Sequence, residues 1–371
     1  MRTHDIHIET ANGIGFIALD RPQALNALTS GMLHAIRNAL GDWRHDHAIR
    51  AVVVYSPHAR AFCAGGDVRF LYEAATAGER AAVDKFFTDE YRLNHTVFTF
   101  SKPYIAVTNG VVMGGGVGIS QGAHHTGGLR IVTGSTKMAM PETRIGLFPD
   151  VGASWFLARA PGAIGRYLAA TGATIGAADA LYARLADAYL DDAALPGLIE
   201  ALKHERLNDG VDIVRFIGAE CVKHKVAPTP DASPLAAVRT SIDKHFAAGD
   251  GRAILASLEK EADGGAAAEW ARETIGVLRE RSPLSIEIAL ELVDRARLST
   301  MADTLRRDLD VTRNVFEHGD VVEGIRARIV DKDNRPAWKI ARLEDVTPED
   351  VKRMLDSPWS RDHHPLKLLK D

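Results

Sequence analysis

Two short apolar runs constrain the fold of this chain more than any other feature. Ala51-Val52-Val53-Val54-Tyr55 lacks the alternation of a half-buried strand and reads as a strand covered on both faces, and Pro103-Tyr104-Ile105-Ala106-Val107-Thr108 reads as a further strand. Strands of that kind are usually parallel and joined through helices, and the flanking sequence agrees. Met32, Leu33, Ile36, Leu40 and Trp43 recur at helical spacing ahead of the first run, with Asn26 and Thr29 offering capping chemistry. Gly114 to Ser120 reads as a glycine-rich helix entry after the second, and Leu129-Arg130-Ile131-Val132 as a further strand. Upstream, Ile6 and Ile8 alternate toward Asn12-Gly13, and Ile14 to Leu19 follows, which predicts two strands joined at a tight turn. An α/β core over residues 1–210 follows from the pattern. Beyond it, Ile286, Leu290, Val293 and Ala296, then Leu305, Leu309 and Val315, recur at helical spacing without strand alternation, so residues 211–371 read as a mostly helical region. Residues 228–234, rich in proline, suit a linker, and Asp263-Gly264-Gly265 marks a second break.

The 371 residues suffice for roughly two domains or one large domain with an appendage. Hydrophobic residues at 46% and a net charge of -4 match an ordinary globular chain and give no reason to expect nucleic acid. No apolar run reaches the roughly 18 residues of a membrane span, and the N-terminal stretch lacks the apolar centre of a signal peptide. Cys63 and Cys221 cannot build a disulfide framework. Together these observations predict a cytoplasmic protein.

The segment from Met140 to Asp150 places two carboxylates, Glu142 and Asp150, in a short apolar stretch punctuated by proline and glycine. An acid there loses solvation, so it must be paired, hydrogen-bonded or used, and burial raises its pKa toward the range useful for proton transfer. Capping of local turns is the plain alternative. Two glycine clusters, Gly65-Gly66 and Gly114-Gly115-Gly116, each lead from a strand toward a helix. Their backbone amides could converge on one oxygen and stabilise charge developing on a carbonyl, although a glycine cluster taken singly is more often a tight turn. Neither cluster has dinucleotide or P-loop spacing. His124-His125 lacks a further ligand at metal spacing, so no metal site is expected. His363-His364 reads as an exposed tail, Cys63 as a small packing residue, and Arg144 either as a partner of Glu142 or as a solvated arginine.

In this order, Leu19-Asp20-Arg21-Pro22 with Ala24-Leu25-Asn26, the two glycine loops, Pro141-Glu142 and Ala170-Thr171-Gly172 resemble the crotonase (enoyl-CoA hydratase/isomerase) superfamily. The resemblance implies a β-β-α superhelical core that binds acyl-CoA, with the amides of Gly66 and Gly115 as an oxyanion hole and Ala24 and Leu25 at the CoA nucleotide. It also implies an oligomer, commonly a trimer or a pair of trimers, unless the enlarged C-terminal region covers that surface. Hydratases of this superfamily carry a second glutamate where this chain has Gly118. Pro141-Glu142 continuing through Phe148-Pro149-Asp150-Val151-Gly152 is similar instead to the signature of the superfamily's 3-hydroxyisobutyryl-CoA hydrolases. So are Glu90-Tyr91, Ser282-Pro283, and the closing run Glu323-Gly324-Ile325-Arg326 with Asp331-Lys332-Asp333. That resemblance places Glu90 at the substrate. It gives Glu142 the role of general base or nucleophile, and Asp150 that of acceptor for a substrate hydroxyl. Two departures stand out: residues 123–128 are about four longer than the family pattern, and Arg184 replaces a usual glycine.

The expected activity is hydrolysis of a 3-hydroxyacyl-CoA thioester without metal or redox cofactor, CoA being part of the substrate. An enoyl-CoA hydratase or isomerase with a rearranged acid–base set is the nearest alternative, and a noncatalytic acyl-CoA-binding protein is an alternative of another class.

Overall fold

The computed structural model describes residues 2–3, 5–223, 228–229, 232–247 and 249–371. Met1 and His4 of the N-terminal stretch, and Pro230 and Asp231 of the proline-rich stretch read as a linker, lie outside the described residues. The chain packs as two compact units, each drawn from several segments. The first comprises Met1–Asp67, Asp89–Ala139 and Thr174–Ala236; the second comprises Val68–Thr88, Met140–Ala173 and Ala237–Asp371.

The first unit holds ten strands among its described residues: β1 (Arg2–Thr3), β2 (Ile6–Ala11), β3 (Ile14–Leu19), β4 (Ala51–Tyr55), β5 (Ala61–Cys63), β6 (Tyr104–Thr108), β7 (Val111–Met113), β8 (Arg130–Thr133), β9 (Lys137–Ala139) and β10 (Ala188–Leu190). They form a seven-stranded sheet in the order β1-β2-β3-β4-β6-β8-β10 and a three-stranded sheet in the order β5-β7-β9. The β2-β3 hairpin turns at Asn12 and Gly13, both with positive φ (49° and 71°), as a tight turn requires. From β3 onward every pairing is parallel. The strands therefore alternate between sheets along the chain, β4 then β5, β6 then β7, β8 then β9, which is a repeated β-β-α unit. The apolar runs are buried as their lack of alternation requires: Val53, Ile105, Val107 and Ile131 pack with Leu198, Ile213 and Ile217 from the helices Leu195–His204 and Gly210–Lys223. Each such side chain contributes about 1.5–3 kcal/mol relative to exposure.

The second unit is helical. Leu147 and Phe148 are buried with Leu284, Ile288 and Leu292 of the helix Pro283–Ala296 and with Val311 and Val315 of the helix Met301–His318. Ser282 opens the first of these by accepting a hydrogen bond from the Ser285 amide, with Pro283 at the first helical position. No strand follows Leu190 among the described residues, so the α/β core with a mostly helical C-terminal region is the observed architecture.

Several local expectations change. Thr29 caps the helix Ser30–His45, but Asn26 does not. Asn26 is instead a buried hub with φ 56°, donating to Ser56 Oγ and to the carbonyls of Ala61 and Phe62 while accepting from the Arg21 amide. The proline-rich stretch is anchored at its end, where Ser233 Oγ and the Leu235 amide both donate to the Asp179 carboxylate. His364 is buried, 3.3 Å from Asp310, and only its neighbour His363 is exposed.

Candidate functional site

In the first unit, the two glycine loops meet. Strand β5 runs into Gly65-Gly66, and Gly66 pairs as an isolated parallel bridge with Leu28. The Leu28 amide donates to Gly65 O and the Asp67 amide donates to Leu28 O, so this ladder passes over the Gly66 amide and leaves it facing away from the bridge. Strand β7 runs into Gly114, whose φ of 49° starts the helix Gly115–Gln121 and makes the Gly115 amide one of its uncapped N-terminal donors. A Cβ placed on residue 115 would lie 3.3 Å from the Gly66 nitrogen, and one on residue 65 would lie 3.6 Å from the Gly115 nitrogen. The two amides are thus neighbours, and a side chain at residue 115 would press on the Gly66 backbone. Such a Cβ on residue 115 would also collide with Glu90 Oε1, which brings the buried Glu90, on the helix Arg80–Phe98, to the same glycine. Gly118 lies inside the helix Gly115–Gln121 and is buried.

Ala24 ends the single turn Pro22–Ala24, and Leu25 follows with φ 50° and accepts at its carbonyl the amide of Ala64, at the start of the first glycine loop. Leu25 lines a cleft of about 280 Å³ with Pro22, Pro57, His58 and Arg60, where His58 is paired to Asp20 at 2.8 Å. Cys63 is fully buried and its thiol is pushed up to about 12 by desolvation, which leaves it a packing residue. His124 pairs with Asp187 at 3.1 Å and His125 stacks on Phe98. Among the described residues no group of three or more His, Cys, Asp or Glu side chains is disposed to hold a metal ion.

In the second unit, Glu142 and Asp150 flank the Met140–Gly152 segment, and both are buried, at 6% and 4% exposure. Glu142 opens a 3-10 turn to Ile145 that ends at Gly146 with φ 74°. Every part of this turn rests on a named neighbour. The Ser282 amide donates to Thr143 O, Gly324 leaves room for the Ile145 carbonyl, a Cβ at 146 would strike Asp320, and Gly172 packs beneath Pro141. Asp320 is itself held by Ser282 Oγ at 2.7 Å and by the Lys339 amide. Arg144 is exposed, and its charge adds to burial in lowering the proton affinity of Arg281 and Arg328.

At the far end, Asp150 leads into Val151 (φ 55°) and Gly152 (φ 79°), two consecutive left-handed residues ahead of the helix Ala153–Leu157. For a β-branched residue that conformation is strained. The Gly152 amide donates to Asp308 Oδ2 at 2.8 Å. Sequence reasoning passed over Asp308. The signal was present: it stands among Leu305, Leu309 and Thr312 on the buried stripe of its helix, where a carboxylate is out of place.

Comparison with known proteins agrees with these motifs. Residues 14–355 match the family model described as enoyl-CoA hydratase/isomerase. A Rattus norvegicus protein named 3-hydroxyisobutyryl-CoA hydrolase, mitochondrial, is 35% identical over 97% of this chain and 91% of its own length. An Arabidopsis thaliana protein named 3-hydroxyisobutyryl-CoA hydrolase 1 is 35% identical over 94% of this chain and 90% of its own. Among solved structures, one described as an enoyl-CoA hydratase from Rhodobacter sphaeroides superposes with a TM-score of 0.84 at 37% identity, covering 95% of this chain and 98% of its own. One described as a carnitinyl-CoA dehydratase from Mycobacterium thermoresistibile gives 0.84 and 37%, covering 95% and 97%.

The cytoplasmic placement expected from the sequence is overturned by these names, since the rat, Xenopus tropicalis and human relatives are all designated mitochondrial. Two free, buried cysteines do not distinguish one compartment from another. Among the described residues no helix is long and apolar enough to cross a membrane. With the model match spanning most of the sequence and the glycine loops and carboxylate segment in place, this chain belongs to the enoyl-CoA hydratase/isomerase family.

Proposed function

We propose that this protein hydrolyses the thioester of 3-hydroxyisobutyryl-CoA, or of a close 3-hydroxyacyl-CoA, to CoA and the free hydroxy acid, as in valine catabolism. The observation that carries the reading is the 35% identity to the rat hydrolase across 97% of this chain, helical C-terminal region included. The solved structures described as a hydratase and a dehydratase are as similar in sequence, and a shared fold does not choose among chemistries. Side chains discriminate. The hydratases that this chain resembles use two glutamates on one water, and with Gly118 at one of those positions Glu142 is left without that partner.

Thioester hydrolysis asks for donors at the carbonyl oxygen and an attacking group at the carbonyl carbon. In this reading the amides of Gly66 and Gly115 are the donors, each of the kind whose loss costs about 2.7–4 kcal/mol of barrier. Glu142 acts in one of two ways. As a general base it takes a proton from the water whose oxygen bonds to the acyl carbon, the carbon–sulfur bond breaks, and the departing CoA thiolate takes up that proton. As a nucleophile its own oxygen forms that bond, the carbon–sulfur bond breaks, CoA leaves as a thiolate that takes up a proton, and water then opens the mixed anhydride. Asp150 accepts the hydrogen bond of the substrate's 3-hydroxyl, a contact that an acyl chain without the hydroxyl forgoes. Glu90 borders the substrate beside Gly115, and Ala24 and Leu25 take the nucleotide portion of CoA.

The test follows thiol release and loss of the conjugated double bond when the purified protein meets 3-hydroxyisobutyryl-CoA and crotonyl-CoA. Thiol release from the first, reduced by at least about 10³-fold in Glu142→Ala, is the expected outcome. Double-bond loss without thiol would establish a hydratase, and binding without either signal would establish an acyl-CoA-binding protein.

A further inference from the structure

Asp308 is fully buried on the helix Met301–His318, and one of its oxygens accepts the Gly152 amide at 2.8 Å. Its other oxygen, Oδ1, meets no hydrogen-bonding group among the described residues. The residue it holds is the second of two left-handed residues immediately after Asp150, and the first of them, Val151, is buried and β-branched. An isolated turn of this kind would relax toward φ below zero and rotate the preceding side chain with it. Such strain persists only where neighbouring structure over-determines it. Here the Ala153 amide donates to Asp150 O and the Trp155 amide to Gly152 O within the turn, and Asp308 supplies an acceptor from another helix. The φ of 79° at Gly152 favours glycine where the hydrogen bond is made, and a Cβ there would have to displace the end of Met301 on the same helix.

We infer that Asp308 is a positioning residue for substrate selection: by accepting the Gly152 amide it fixes the Val151-Gly152 turn and thereby aims Asp150. The inference rests on the reading of Asp150 as the acceptor for the substrate's 3-hydroxyl. Desolvation holds the Asp308 carboxyl well above the usual range against the pull of the Gly152 hydrogen bond, with the neighbouring Asp150 charge pushing it up and Arg307 pushing it down.

The readout is the ratio of kcat/KM for 3-hydroxyisobutyryl-CoA to that for isobutyryl-CoA, which lacks only the hydroxyl. A general loss of structure lowers both values and leaves their ratio alone. Asp308→Ala removes the acceptor and is expected to lower the ratio by roughly tenfold or more, mainly through the hydroxylated substrate. Asp308→Asn keeps a carbonyl oxygen for the Gly152 amide and is expected to hold the ratio within about threefold of the parent. Asp150→Ala sets the floor, and adding Asp308→Ala to it is expected to lower the ratio no further, as for two residues acting through one contact.

A ratio unchanged in Asp308→Ala, or one that collapses equally in Asp308→Asn, overturns the inference. Should Asp308→Ala alone fail to fold, Val151→Gly relieves the turn, and the ratio of Val151→Gly/Asp308→Ala is compared with that of Val151→Gly. A ratio at least several-fold lower in the double variant supports the inference and equality overturns it. A parent protein that releases no thiol, or that shows no preference for the hydroxylated substrate, overturns instead the function on which the inference rests.

Discussion

The residues that bear chemistry here were legible because each breaks a local rule. Glu142 and Asp150 are carboxylates in an apolar stretch, and Gly115 is one of three glycines where a helix starts, a costly place for so much backbone freedom. The same test, applied to helices, would have singled out Asp308 on a stripe of Leu305, Leu309 and Thr312; attention to the apolar positions alone concealed it. What sequence could not supply was contact. Nothing in the order of residues says that Glu90 Oε1 abuts Gly115, or that a Cβ there would crowd the Gly66 nitrogen to 3.3 Å. That crowding makes a sharp prediction at this scale. Gly115→Ala must displace either the Glu90 carboxylate or the helix start that presents the Gly115 amide. If that amide polarises the thioester, kcat for thiol release falls by roughly 10²–10³-fold while the protein still folds. Steady-state kinetics with a circular dichroism control checks it, and a kcat within twofold of the parent would remove the amide from the mechanism.

Elements were readable in proportion to their length. The buried runs β4 and β6 and the two long C-terminal helices declared themselves by periodicity, whereas β5, β7 and β9 span three residues each, too few for a period-two signal. Residues 61–63 and 111–113 accordingly read as loops leading from a strand to a helix, although they are the second strands of β-β-α units. The closing motif was recognisable as a pattern, and its physical sense is a fork: Arg326 donates to Glu323, Asp331 and Asp333 around a π-helical turn. Arg184, the departure from glycine, ends the turn after the helix Ala177–Tyr182 with φ 60°. A non-glycine residue there is strained by about 1–2 kcal/mol, while glycine adds about 0.4–1 kcal/mol of unfolded-state entropy. Arg184→Gly is therefore expected to stabilise the protein by about 0.5 kcal/mol, raising its thermal midpoint by roughly a degree or two without changing activity. A lower midpoint in differential scanning fluorimetry would show that the arginine side chain contributes more than its backbone costs.

At the level of the whole molecule, linear reading meets its limit in the way the compact units are assembled. The segments Val68–Thr88 and Met140–Ala173 belong with Ala237–Asp371, and not with the strands that precede and follow them in the chain. The carboxylate segment depends on that arrangement. Leu147 and Phe148 are buried by Leu284, Ile288 and Val311, Thr143 O accepts the Ser282 amide, Ile145 rests on Gly324, and Gly152 donates to Asp308. The C-terminal helices are thus the support of the Glu142–Asp150 turn. A fragment of residues 1–210 keeps both carboxylates, both glycine loops and every strand, yet it loses each of those contacts. Leu147 and Phe148 alone would then return to water surface worth about 3–6 kcal/mol, a large part of a typical stability of about 5–15 kcal/mol. The fragment is expected to be aggregation-prone or partly unfolded, with amide hydrogens of residues 140–173 exchanging at the rate of an open chain, and to release no thiol from 3-hydroxyisobutyryl-CoA. Hydrogen exchange and the thiol assay on the fragment and the full chain decide the matter. Protection of residues 140–173 in the fragment, with turnover retained, would show that the turn is built by local sequence alone and that Asp308, Ser282 and Gly324 are dispensable to it.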